Sequence, residues 1–104
     1  MEQRAVIFGR EAEAYDSARP GYPAEVFRHV LARTEVRRAV EIGAGTGKAT
    51  EGFAAQVERI VCVEPSAAMS AVLEAKALPG VEVVVASLED WDGPEDPVDL
   101  VYAA

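Results

Sequence analysis

Seven residues, Glu41-Ile42-Gly43-Ala44-Gly45-Thr46-Gly47, constrain this chain more than any other stretch, because three alternating glycines join a strand-like run to a helix-like run. Glycine lets the backbone turn sharply and lets a ligand lie against it, and a helix that starts behind the loop offers unpaired N–H groups. Such a loop can cradle a small polar ligand. A glycine-rich turn that binds nothing has the same local signature, so the loop alone leaves both readings open.

The residues around the loop repeat its pattern of strand then helix. Ala39-Val40-Glu41-Ile42 reads as a short apolar strand, and residues 48–56 read as the helix that follows. Residues 59–64, Arg-Ile-Val-Cys-Val-Glu, are a β-branched strand, after which Pro65-Ser66 opens a helix carrying Met69, Val72 and Leu73. Pro79-Gly80 closes that helix. Residues 81–85 form a third strand, and Val98-Asp99-Leu100-Val101-Tyr102 a fourth, beyond a solvated acidic loop over residues 89–97. Near-continuous apolar strands alternating with helices predict an α/β fold, a Rossmann-like parallel sheet with helices on both faces. Upstream, Ala5, Phe8, Ala12 and Tyr15 recur at helical spacing, and Val26, Phe27, Val30 and Leu31 form a second stripe that starts at Pro23. Residues 1–22 are expected to form a separate helical segment and residues 23–104 the core, with one domain's worth of chain in all.

Glu64 changes the odds on the loop. It stands at the end of the second strand, about 20 residues beyond the glycines, where a carboxylate can accept hydrogen bonds from two ribose hydroxyls. A Walker A loop is rejected, since Ile42 occupies the position of its first glycine and Ala49 follows Lys48. A dinucleotide loop is disfavoured, since Lys48 stands where the third glycine of G-x-G-x-x-G belongs. An NAD-binding dehydrogenase domain stays as the rival reading.

The chain has a net charge of −8, which opposes attraction to phosphate backbones, so no nucleic-acid partner is expected. A single cysteine, Cys62, excludes an internal disulfide framework and a cysteine-rich metal site, and no metal is expected. It lies in an apolar strand and reads as a small core residue rather than a nucleophile. No secretory leader or membrane-length apolar run is visible, so no membrane association and a cytoplasmic location are expected. His29 has no acid or metal-ligand partner near it in sequence and reads as a surface residue, while Trp91 reads as a packing residue.

With these motifs in order, the sequence resembles the class I S-adenosylmethionine (AdoMet)-dependent methyltransferases, in the small-molecule branch known as methyltransferase domain 11 or 25. Residues 41–47 look like the family's first motif, Val63-Glu64-Pro65-Ser66 with Met69 like its second, and Ala86-Ser87-Leu88-Glu89 like the loop after its third strand. Asp99-Leu100-Val101-Tyr102-Ala103 is similar to its fourth strand, and Phe8, Ala14, Tyr15 and Arg19-Pro20-Gly21-Tyr22-Pro23 resemble its leader. The resemblance implies that Gly43, Ala44, Gly45 and Gly47 line the methionine portion and ribose, and that Glu41 reaches the methionine ammonium group. It further implies that Glu64 holds the ribose and that Pro65, Ser66 and Met69 lie by the adenine. Ser87, Leu88 and Glu89 would form the adenine's edge, and the Ala103 carbonyl would face the ammonium end. Tyr15, Arg19 and Tyr22 would contribute to a cap.

The reaction implied is in-line displacement at the sulfonium methyl by a small-molecule acceptor, with the protein supplying proximity and orientation and no catalytic residue required in this stretch. The resemblance implies a sheet of about seven strands, whereas the sequence stops after the fourth. The expectation is a cofactor-binding portion, inactive alone and self-associating through its fourth strand or the uncovered face of the sheet. A non-catalytic AdoMet-binding module would fit the same features.

Overall fold

The structure is a computed structural model, and it describes residues 28–29 and 36–103. Four strands, β1 (Arg38–Ile42), β2 (Arg59–Glu64), β3 (Val81–Val85) and β4 (Leu100–Ala103), form one sheet in the order β3-β2-β1-β4. All pairings are parallel. Helix α1 (Lys48–Ala54) joins β1 to β2, and α2 (Ala67–Ala75) joins β2 to β3. This is the Rossmann-like parallel α/β architecture expected from the sequence, with β1 inside the sheet and β4 beside it.

Alternation along the strands decides which residues meet the helices. Ala39 of β1, Ile60 and Cys62 of β2, Phe53 of α1 and Leu73 of α2 form one buried cluster, with Val81, Val83, Leu100 and Tyr102 packed against it. Both helices therefore cover the same face. Right-handed crossovers require this, since β1, β2 and β3 are laid down in one direction. The chain then reverses past β1 to reach β4, so the connection over residues 86–99 crosses the opposite face. That face is buried at its centre too, at Val40 and Val63.

Element ends show which local chemistry wins. Ser66 is the N-cap of α2, its hydroxyl accepting the Met69 amide at 3.1 Å, so the helix opens one residue past the serine. At the other end Ala77 takes a left-handed φ of 50°, and the helix stops short of Pro79. Helix α1 ends at Ala54 rather than at residue 56, and beyond it the Gln56 and Val57 amides share the Phe53 carbonyl, at 2.9 and 3.1 Å, in a tightened closing turn. The fourth strand begins at Leu100, two residues later than the apolar run suggests. Ahead of it, one Asp99 carboxylate oxygen accepts the amides of Arg37 and Arg38 at 2.9 and 3.1 Å, stapling the entry of β4 to the entry of β1. Lys76 pairs with Glu51 at 2.8 Å and ties α2 to α1.

Among the described residues no helix is long and apolar enough to cross a membrane, and no group of three His, Cys, Asp or Glu residues could hold a metal ion. Arg28 and His29 are helical and exposed. The cap residues Tyr15, Arg19 and Tyr22, with the rest of the expected 1–22 segment, lie outside the described residues.

Candidate cofactor site

The glycine loop leaves β1 where the sheet order reverses, between β1 and β4. In open parallel sheets that position, beyond the carboxyl ends of the strands, is where a crevice forms and ligands bind. Register brings the sequence-derived residues to this one end. Ile42, which enters the loop, is paired with Ala103 on one side and with Val63 on the other, and Glu64 is paired with Val85.

Gly43, Gly45 and Gly47 all have positive φ, at 68°, 60° and 92°. At Gly45 space is available, since an added β-carbon would meet only Met69 Sδ, at 3.7 Å, and the backbone conformation is what requires glycine. At Gly47 the limit is steric as well, because Leu73 Cδ1 already occupies the place a β-carbon would take. The N-terminus of α1 thereby approaches α2 closely, and the Gly47 amide is bonded to the Ala44 carbonyl at 3.0 Å.

Two buried carboxylates underlie the loop. Glu64, 6% exposed, accepts the Gly45 amide at 2.8 Å on one oxygen and the Ser66 amide at 2.7 Å on the other. It fastens the glycine loop to the start of α2, a task that sequence alone did not assign to it. A carboxylate has about four lone-pair positions, so each oxygen can accept one more donor. Glu41, 1% exposed, accepts the Thr50 hydroxyl at 2.7 Å and the Tyr102 hydroxyl at 2.8 Å, both on the same oxygen. Burial pushes its carboxyl above the ordinary range, and the two hydroxyl bonds pull it back in part.

Cys62 lies beside Thr50, with Sγ 3.7 Å from Oγ1. Burial, then the Glu41 charge, pushes its thiol up to about 12, as befits an inert core residue. Tyr102 stacks at a tilt on Phe53, with ring centroids 4.3 Å apart, and its phenol is pushed up by burial and by the charge of Glu41.

The remaining expected residues sit around the rim. The Ser66 hydroxyl is engaged in capping, while Met69 packs beneath Gly45 and Pro65 is exposed. Beyond β3, Ser87 donates to Asp90 at 3.0 Å, and Leu88, 54% exposed, presents a bare apolar side chain next to exposed Glu89. Ala44 is buried and Ala103 exposed. Trp91 is half-buried and lines a separate groove with Val61 and Val84, on the face away from α1 and α2.

Thr50 and Tyr102 were not among the site residues that the sequence singled out. A polar residue one turn from Phe53 on the core side of α1, and a hydroxyl tip alternating with Leu100, were the available signals.

A family model described as a methyltransferase domain matches residues 39–104. The chain belongs to that methyltransferase domain family. An uncharacterized methyltransferase of Mycobacterium bovis is 35% identical over 100 residues, covering 96% of this chain and 40% of the relative. The chain thus spans well under half the length of that relative. Among solved structures, the DhpI–SAH complex superposes with a TM-score of 0.74 at 25% identity, over 98% of this chain and 52% of DhpI. SAM-bound CalS10, an amino pentose methyltransferase from Micromonospora echinaspora, does so with a TM-score of 0.66 at 27% identity, over 100% and 42% of the two chains. Family membership and the Rossmann-like sheet therefore stand together.

Proposed function

We propose that this chain is the cofactor-binding portion of an AdoMet-dependent methyltransferase that acts on a small-molecule acceptor. The observation that carries the reading is the pair of buried carboxylates, Glu41 and Glu64, beneath a glycine loop at the switch point of the sheet. AdoMet bears a sulfonium and an ammonium charge, and a carboxylate-lined cleft on a chain of net charge −8 is complementary to both. These two acceptors therefore fit this cofactor, whose ammonium group and ribose hydroxyls donate. Its chemistry is to supply a methyl group to an attacking nucleophile.

Gly43, Ala44, Gly45 and Gly47 give the methionine portion and ribose a surface without side-chain obstruction. Glu41 holds the ammonium end, opposite the Ala103 carbonyl. Glu64 accepts the ribose hydroxyls with the lone pairs that the Gly45 and Ser66 amides leave free. Pro65, Ser66 and Met69 border the adenine, Leu88 gives it an apolar wall, and Ser87 and Glu89 supply polar contacts at its edge. These residues orient the methyl for in-line attack, and proximity and alignment furnish the rate enhancement. The small-molecule acceptor is supported by the amino pentose activity named for CalS10. A cytoplasmic location is supported by the buried, unpaired Cys62.

Thermal-shift titration of the chain with S-adenosylhomocysteine (SAH) and with NADH tests the assignment. Stabilisation by SAH alone supports it. Stabilisation by NADH and not by SAH would overturn it, and methyl transfer by a longer chain carrying these residues separates an enzyme from a non-catalytic module.

A further inference from the structure

The buried hydroxyls of Thr50 and Tyr102 come from different elements and end on the same atom. Thr50 reaches Glu41 Oε1 from α1 and Tyr102 reaches it from β4, at 2.7 and 2.8 Å. An ionised carboxylate only accepts, so both hydroxyls must spend their hydrogens on it. The Thr50 oxygen is then left to accept from the Cys62 thiol at 3.7 Å, and the three side chains form a directed chain that ends on Glu41. The Tyr102 ring is in turn fixed against Phe53. No other arrangement of these hydrogens satisfies Glu41 in its charged form.

We propose that Thr50 and Tyr102 are positioning residues for cofactor binding: by donating to one oxygen of Glu41, they hold its carboxylate charged and in a single orientation for the ammonium end of the cofactor. The proposal rests on the cofactor reading given above. Hydrogen bonds donated to a charged acceptor stabilise the charged form and offset the cost of burying it. Without the two hydroxyls, burial would act on Glu41 unopposed and raise its carboxyl further, so that the charged form meeting the ammonium group is less favoured. Because Tyr102 lies in β4, 61 residues from Glu41 in sequence, seating the fourth strand is also what completes the first strand's half of the site.

The titratable groups facing Glu41 are Cys62 from β2 and Tyr102 from β4, while α1 contributes the uncharged Thr50. Both the thiol and the phenol are pushed up, so neither titrates below neutral pH. A change in the acid limb of the binding profile therefore reports a carboxylate. Glu64 keeps its contacts in every variant below, so a difference from wild type reports Glu41.

The test is isothermal calorimetry of SAH binding between about pH 5 and 8 on the full chain and on Tyr102→Phe, Thr50→Val and Thr50→Ser, with melting curves to verify folding. Near neutral pH, Tyr102→Phe and Thr50→Val should each weaken binding about tenfold, the scale of a hydrogen bond to a charged group. The acid midpoint of binding should move to higher pH in both, and Thr50→Ser, which keeps the hydroxyl, should restore affinity and midpoint. Unchanged affinity and midpoint in folded variants overturns the proposal. So does a uniform loss with an unmoved midpoint, which would mark the hydroxyls as structural only. If Tyr102→Phe does not fold, the contrast between Thr50→Val and Thr50→Ser decides. Failure of the wild-type chain to bind SAH at any pH would instead overturn the cofactor reading on which the proposal stands.

Discussion

Glu64 Oε1 accepts the amide of Gly45 at 2.8 Å, across 19 residues of sequence, so the acidic end of β2 holds the middle of the glycine loop. With Oε2 on the Ser66 amide, one side chain organises two backbone segments that a ligand would touch.

Glu64→Ala is therefore expected to act twice, by removing an acceptor for the ribose and by freeing the loop. SAH affinity should fall by about 1–3 kcal/mol, the scale for a charged hydrogen-bonding group, and exchange of the Gly45 and Ser66 amides should accelerate without any ligand. Calorimetry and amide exchange check the two effects separately. Intact affinity in the variant would take Glu64 out of the site.

The alternating glycines predict two different failures. In Gly45→Val a β-branched residue would have to adopt a φ of 60° with its side chain beside the ligand path, so binding should vanish while the helical circular dichroism signal stays. Gly47→Ala instead drives a methyl into Leu73, which is 1% exposed and cannot move aside freely. Overpacking of this kind costs about 1–3 kcal/mol, before the strain of the backbone is added, and a thermal melt should show it without ligand. SAH binding by Gly45→Val would show that the loop is only a turn.

Much of this was legible in the sequence where the information is local. The bounds of β2 and β3 follow from their β-branched runs, Ser66 and Met69 stand at the spacing of an N-cap and its partner, and three alternating glycines announce the loop. The grip of Glu64 on Gly45 and Ser66 was not legible, because a strand-end carboxylate looks the same whether it faces water, ligand or backbone. Nor was the meeting of Thr50, Glu41 and Tyr102, which depends on β4 returning to lie beside β1. The late start of β4 has the same origin, since the Asp99 staple is made with residues 61 and 62 positions away.

Two carboxyls give the folded chain opposite pH responses. Burial raises Glu41 above its unfolded value, so its contribution to stability is present at low pH and is lost as pH rises through its folded value. Asp99 is lowered by the amides of Arg37 and then Arg38, so its contribution is present at neutral pH and is lost as pH falls below the ordinary carboxylate range. Glu41→Gln, which leaves an amide oxygen for Thr50 and Tyr102, should accordingly raise the melting temperature near pH 8 more than near pH 5, while weakening SAH. Asp99→Asn should flatten the acid limb of the stability curve. Melting temperatures across pH check both, and an acid-side gain in Glu41→Gln would reverse the sign assigned to its burial.

The last expectation concerns the edge of the sheet. Among the described residues β4 pairs only with β1, and Val101, in register with Val40 and on the face away from Leu100 and Tyr102, is 60% exposed, the most exposed of the large hydrophobic residues described. An open strand edge offers a row of N–H and C=O groups to any second strand, and an apolar side chain beside it strengthens the contact. The 104-residue chain is therefore expected to self-associate, edge to edge through β4. Val101→Lys places a charge on that edge without touching the core cluster or the Tyr102–Glu41 bond, and it should shift the chain toward monomer while leaving SAH affinity intact. Light scattering over a range of concentrations decides the first point and calorimetry the second. A wild-type chain that stays monomeric at high concentration would show that the β4 edge is already protected, and would remove the reason for the substitution.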